Sequence, residues 1–202
     1  MTSDCGAAAA IVLAAGLSRR AAPENKLLFP FAGSTIIRKT TEAVCGAGFG
    51  EVLVVVGHER ERVKHELRDL PVRFVFARQF ALGMGHSLAA GVREAAFDTK
   101  AFAIFPGDLP LLTPAVIRRI CEEFTDQKNT RHVIPVCRGT RGHPVILGAW
   151  LRPGLENLTG DTGAKGLLEA ENKRGKVCFL DVEDESVMRD FDRPQATDSS
   201  AT

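Results

Sequence analysis

Short apolar runs alternate with segments of helical period along almost the whole chain, and few architectures besides a layered α/β domain satisfy that alternation. Ala8–Ala14, Val52–Val56, Val72–Phe76, Ala101–Phe105 and Val177–Leu180 have the length and composition of strands. Val52–Val56 is apolar throughout, as a parallel strand covered by helices on both faces must be. Between the strands, Thr35–Ala47 sets Ile36, Ile37, Thr40, Ala43, Val44 and Ala47 on one helical face. Glu59–Leu70 is a charged helix with Val63 and Leu67 turned inward, and His86–Ala96 aligns Leu88, Val92 and Ala95. Thr113 offers an N-cap and Pro114 a first helical position, for a helix with Val116, Ile117, Ile120 and Phe124 inward. His132–Val136 and Pro144–Leu147 form an expected strand pair across Arg138–Gly142, and Gly163–Glu171 an expected helix. The predicted fold is a three-layer α/β/α sandwich on a mostly parallel sheet, to which the Pro144 strand adds an antiparallel element. One domain is expected over residues 1–194, followed by a polar, small-residue tail over 195–202 that is expected to be disordered.

Composition narrows the partners. The chain has 202 residues and a formal net charge of +1, so no global basic field argues for nucleic acid. The apolar run Ala7–Ala15 is too short to span a bilayer, and the charge before it is Asp4 rather than a basic cluster. These features point to a cytoplasmic protein without membrane contact. Five widely spaced cysteines and no C-x-x-C pair support neither a zinc ribbon nor a disulfide framework.

In doubly wound sheets, ligands bind beyond the carboxyl ends of the strands, and several motifs fall there. The first strand empties into Leu13-Ala14-Ala15-Gly16, followed by Ser18, Arg20 and Lys26. Small residues let a base or ribose lie against the backbone, and the hydroxyl, guanidinium and ammonium groups suit a triphosphate. The spacing is neither that of a Walker loop nor G-x-G-x-x-G. The fourth strand ends at Gly107-Asp108-Leu109-Pro110, where one carboxylate on a short turn suits Mg²⁺ but would equally fill an Asx turn. Gly160-Asp161-Thr162-Gly163-Ala164-Lys165 places a second carboxylate between glycines, although Asp161 or Thr162 would serve as well as a helix N-cap. Gly83-Met84-Gly85-His86-Ser87 offers a flexible glycine pair and a helix start for a nucleoside or phosphate. His86 has no carboxylate at an evident spacing and fits a capping or solvent-facing role better than that of a general base. Arg138-Gly139-Thr140-Arg141-Gly142-His143-Pro144 forms a basic lip, either a second phosphate-binding element or a solvated turn.

Taken in order from about Ile11 to Leu168, these motifs resemble those of the MobA-like nucleotidyltransferases, in particular the molybdopterin cytidylyltransferases. The resemblance implies a Rossmann-like fold of the nucleotide-diphospho-sugar-transferase type, with CTP and a molybdopterin-type phosphorylated acceptor as substrates. It implies contact of Leu13, Ala14, Ala15, Gly16, Ser18, Gly83, Ser87 and Gly107 with the nucleotide. Arg20 and Lys26 would hold the triphosphate, and Asp108 and Asp161 the Mg²⁺. Arg141, His143 and Lys165 would lie toward the acceptor, and the product would pass to a molybdenum hydroxylase. Transfer of GMP, transfer to a sugar or polyol phosphate, and a non-catalytic nucleotide-binding role are the alternatives. The chain departs from the family pattern at Ala21-Ala22, where a hydrophobic residue and glycine are usual, and at Lys165, where arginine is usual.

Overall fold

The computed structural model describes residues 5–17 and 24–191. Ser18, Arg20, the Ala21-Ala22 departure and the 195–202 tail therefore lie outside the described residues. The elements run β1 (Ala8–Ala14), β2 (Pro30–Phe31), β3 (Ser34–Thr35), α1 (Ile36–Gly46), β4 (Glu51–Val56), α2 (Arg60–Glu66), β5 (Arg73–Phe76) and α3 (Met84–Glu94). Next come β6 (Ala101–Pro106), α4 (Pro114–Asp126), β7 (His132–Cys137), β8 (Thr140–Arg141), β9 (Val145–Gly148), α5 (Arg152–Glu156), α6 (Lys165–Lys173) and β10 (Val177–Asp181).

The main sheet runs β10-β7-β9-β6-β1-β4-β5, with β8 paired to β7. Strands β1, β4, β5 and β6 are mutually parallel, β10 runs parallel to β7, and β9 is antiparallel to both β6 and β7. Strand β1 shows why three layers form. Ala8, Ala10, Val12 and Ala14 enter one core with α1 and α4, whereas Ala9 and Ile11 enter the other with α3. Successive side chains of a strand point to opposite faces, so an uninterrupted apolar strand must be covered twice. Leaving β1, the chain moves outward to β4 and β5, then returns to place β6 on the other side of β1. The carboxyl ends of β1 and β6 therefore flank the switch point, where a crevice opens.

Most expected elements are present with shifted ends. The helix expected over Glu59–Leu70 stops at Glu66, because Leu70 precedes Pro71 and the chain turns through Leu67 and Leu70 instead. The strand pair expected from His132–Val136 and Pro144–Leu147 meets directly only at Val133 and Ile146. Strand β8 closes the turn on β7, and β9 then crosses to pair along β6 from Ala101 to Ile104. Helix α4 starts as predicted, with Thr113 Oγ1 accepting from the Val116 amide at 3.3 Å.

A buried pair at the other end of the sheet has no counterpart in the sequence reading. His132 is fully buried, its Nδ1 accepts from the Gly148 amide at 3.0 Å, and its Nε2 lies 3.6 Å from Glu171 Oε2. At that separation the contact is an ion-pair distance without a hydrogen bond, and the indole of Trp150 stacks over the ring at 4.8 Å. Burial pushes the His132 ring below the ordinary histidine value of 6.5, against the opposing pull of Glu171. The unfolded chain therefore takes up more protons than the native one as pH drops below about 6.5, and stability falls with it. His132→Asn keeps an acceptor for Gly148 and removes the titration. It is expected to lose about 1–3 kcal/mol at neutral pH and to flatten the acid-side slope in urea unfolding. An unchanged slope would assign the acid sensitivity elsewhere.

Candidate active site

The first loop and the turn after β6 are locked together at the switch point. Leu13 pairs in register with Pro106, and the Gly107 amide donates to the Leu13 carbonyl at 3.0 Å. A Cβ at Gly107 would lie 2.9 Å from that same oxygen, so glycine lets the two backbones approach. Lys26 opens a short 3₁₀ turn, Lys26–Leu28, whose N-cap is the buried Asn25; its Oδ1 accepts from the Leu27 amide at 3.1 Å. This cap fixes the direction of the lysine. Its Nζ lies 2.6 Å from Asp108 Oδ2, and both side chains are largely buried.

A cavity of about 360 Å³ opens over this pair, lined by Leu13, Ala15, Gly16, Lys26, Gly83, Ser87, Gly107, Asp108 and Asp161 among others. Most of the expected nucleotide contacts are thus brought together from four loops. Ala14 is not among the lining residues; its side chain points into the core on the α1 and α4 side, as the alternation along β1 requires. Asp161 does not cap the following helix. The N-cap of α6 is Ala164, without a side-chain hydrogen bond, which leaves the Asp161 carboxylate at the cavity. The segment carrying it is docked on the glycine pair: the Gly85 amide donates to the Gly160 carbonyl at 2.8 Å. His86 lines neither this cavity nor the next.

A second cavity of about 470 Å³ adjoins the first, and Leu13, Met84 and Pro106 line both. Its walls are mostly apolar, from Leu88, Ile104, Ile134, Val145, Leu147 and Leu168. Arg141, His143 and Lys165 all lie in its lining, with Thr162 as a further polar group. The Arg141 guanidinium sits 5.1 Å from the centre of the Phe179 ring, a cation–π contact that steadies it. The segment after β10 ties the two cavities together. The Val187 carbonyl accepts from the His143 amide at 2.6 Å, and the Phe191 amide donates to the Asp108 carbonyl at 3.2 Å. Phe191 also packs edge-on to Phe31 at 4.9 Å. Sequence reasoning missed this strap, and it missed Phe80, which lines the first cavity beside the glycine pair.

Residues 10–176 match the model of the MobA-like NTP transferase domain. The chain belongs to that family. Membership makes it a nucleotidyltransferase of the MobA-like class, whose substrate is a nucleoside triphosphate and whose members generally use a divalent metal. Nicotine blue oxidoreductase of Paenarthrobacter nicotinovorans is 29% identical over 94% of each chain. Bifunctional protein GlmU of Syntrophomonas wolfei is 34% identical over 84% of this chain, which spans only 38% of that relative's length. Among solved structures, the manganese complex of Rv0371c from Mycobacterium tuberculosis superposes with a TM-score of 0.71, at 22% identity and with 87% and 88% of the two chains covered. That likeness bears out the expected nucleotide-diphospho-sugar-transferase fold.

The donor set fits such a metal. Asp108 and Asp161 offer only carboxylate oxygens, and no group of three His, Cys, Asp or Glu suited to a metal occurs among the described residues. Two hard oxygen donors cannot complete an octahedron. They suit a cation that takes its remaining ligands from water and substrate phosphates. No helix among the described residues is long and apolar enough to cross a membrane.

Proposed function

We propose that the protein transfers CMP from CTP to a molybdopterin-type phosphorylated acceptor, releasing pyrophosphate and forming molybdopterin cytosine dinucleotide. The observation that carries this reading is the pair of cavities meeting at Leu13, Met84 and Pro106. One has the lysine and carboxylates of a triphosphate site, and the other has apolar walls with a basic lip. An acceptor phosphate seated in the second would approach the α-phosphorus of CTP in the first. A new P–O bond forms there as the bond to the bridging oxygen breaks, and pyrophosphate leaves. An anionic phosphate needs no strong general base to attack, so the protein's task is positioning and charge neutralisation. Lys26 supplies a fixed positive charge beside the triphosphate, while Ser87 and the Leu13–Gly16 backbone hold the nucleoside. Arg20, outside the described residues, is proposed to join Lys26. Asp108 and Asp161 would hold Mg²⁺, which when bound neutralises charge on the phosphates. Arg141 and Lys165 would take the acceptor's phosphate; Lys165 contributes charge without the two-pronged geometry of an arginine.

The test is pyrophosphate release with Mg²⁺, molybdopterin and each of CTP, GTP, ATP and UTP. CTP is expected to be preferred. Exclusive use of GTP would overturn the cytidylyl reading and leave nucleotidyl transfer standing. A second reading, an oxidoreductase activity, is favoured by the relative named nicotine blue oxidoreductase, which matches along nearly its full length. It predicts that none of the four nucleoside triphosphates supports pyrophosphate release.

A further inference from the structure

Lys26 and Asp108 stand on segments held to different parts of the molecule, and one aromatic residue touches both segments. The turn carrying Asp108 hangs from β1 through the hydrogen bond from Gly107 to Leu13. Lys26 belongs instead to a stiff run that leads into α1. Asn25 caps its 3₁₀ turn, and β2 and β3 then fold back through Ala32 and Gly33, both at positive φ. The Ile36 amide closes the run by donating to the Phe29 carbonyl at 3.1 Å. Residues 25–36 therefore behave as one unit, and its placement decides where the ammonium points. Phe31 lies on that unit. Phe191 meets it edge-on, with ring centres 4.9 Å apart and planes at 74°, while the Phe191 amide donates to the Asp108 carbonyl at 3.2 Å. Both rings are half-buried and pack on the core shared with α1 and α4. Phe191 is itself closely anchored. Asp184 Oδ1 accepts from the Ser186 amide at 2.8 Å, Val187 is fully buried, and the Val187 carbonyl holds the His143 amide.

We propose that Phe191 is a positioning residue, whose ring against Phe31 sets the Lys26 segment so that the ammonium meets the Asp108 carboxylate. A lysine is a point charge on a flexible stem, so its main chain must be fixed if it is to hold one place. An edge-on aromatic pair has a preferred direction as well as an area, and it resists sliding more than an aliphatic contact of the same size. Rate and binding respond differently to its loss. A misplacement of about 1 Å in a preorganised site costs roughly a hundredfold in rate. The lysine stem can still follow a bound triphosphate, so ground-state affinity changes little.

This inference rests on the roles given to Lys26 and Asp108 in the proposed function, and its first readout needs no turnover. Phe191→Ala keeps the backbone amide and removes only the ring. Amide hydrogen exchange over residues 25–36 is expected to quicken about tenfold or more in that variant, with β4 at its parental rate. Turnover at saturating CTP should fall roughly 10- to 100-fold, with the dissociation constant for CTP within about threefold of the parent. Phe31→Ala should do the same, and the double variant should be no worse than about twofold below the weaker single one. Phe191→Tyr, which keeps the ring edge, should restore most of the rate. Phe49→Ala breaks another edge-on pair, with Phe105 at 5.8 Å, whose two rings line neither cavity. It should lower Tm while turnover stays within about twofold, which separates placement of Lys26 from lost packing alone. Unchanged exchange over 25–36 in Phe191→Ala overturns the proposal, as do additive effects of the two alanines or an equal loss of rate in Phe49→Ala. Faster exchange confined to 25–36, in a protein that releases pyrophosphate from no nucleoside triphosphate, supports the placement and overturns the transfer reading. Pyrophosphate release by the parent with unchanged exchange in Phe191→Ala does the reverse.

Discussion

Asp108→Ala is expected to reduce turnover by roughly a thousandfold or more, while CTP binding stays measurable. The expectation follows from where the carboxylate sits. Asp108 lies on the turn after β6, its neighbour Gly107 held to the Leu13 carbonyl and its own carbonyl accepting from Phe191, and its side chain reaches Lys26 at 2.6 Å. In the proposed reaction it holds the metal at the triphosphate, so its loss removes charge stabilisation that is needed most as pyrophosphate departs. Binding is a different matter. The variant loses one negative charge beside an incoming polyanion and keeps the Lys26 ammonium, so ground-state affinity for the nucleotide should hold or rise. Calorimetric titration with CTP, run beside the pyrophosphate assay, separates the two effects. Full turnover by Asp108→Ala with Mg²⁺ would overturn the metal assignment. Loss of both binding and turnover would make Asp108 a structural partner of Lys26 instead.

The sequence carried the fold because the fold follows from local periodicities. Double burial of β1 and β4 shows as unbroken apolar runs, and the start of α4 shows as Thr113-Pro114. The candidate site was legible for a related reason. Its residues sit in short loops directly after strands, and strand order then brings those loops together at the switch point between β1 and β6. What stayed hidden depends on contacts between distant segments. His132 and Glu171 meet across the end of the sheet, and no local pattern couples residues so far apart. By its spacing alone Asp161 reads more readily as a helix cap than as a ligand, and only the start of α6 at Lys165, with Ala164 as its N-cap, removes the capping role. The hydrogen bond from Phe191 to Asp108 was invisible because a backbone donor has no residue signature. The apolar character of the second cavity was hidden likewise, since its walls come from strands and helices that each looked like ordinary core.

Gly83→Ala should show that the docked loops are one unit. Gly83 has φ +128° and ψ 164°, a region that residues with a side chain rarely enter. Space is lacking as well: a Cβ there would lie 2.4 Å from the Gly160 carbonyl and 2.6 Å from Asp161 Oδ1. The backbone atoms it meets cannot swing aside as the tip of a flexible side chain would. Either the 83–85 segment leaves its conformation or the loop carrying Asp161 moves off it, and in both cases the hydrogen bond from Gly85 to Gly160 is strained or broken. Backbone strain of this kind is worth about 1–3 kcal/mol, which lowers Tm by about 3–10 °C for a chain of this size. Metal-dependent turnover should fall with it, because the second carboxylate is displaced from the cavity. Asp161→Asn supplies the contrast. It removes the charge and leaves the loop in place, so turnover should drop while Tm stays within about 1 °C of the parent, as for a surface substitution. If Gly83→Ala keeps both the parental Tm and full turnover, the glycine pair does not position Asp161, and the second metal ligand must come from another loop.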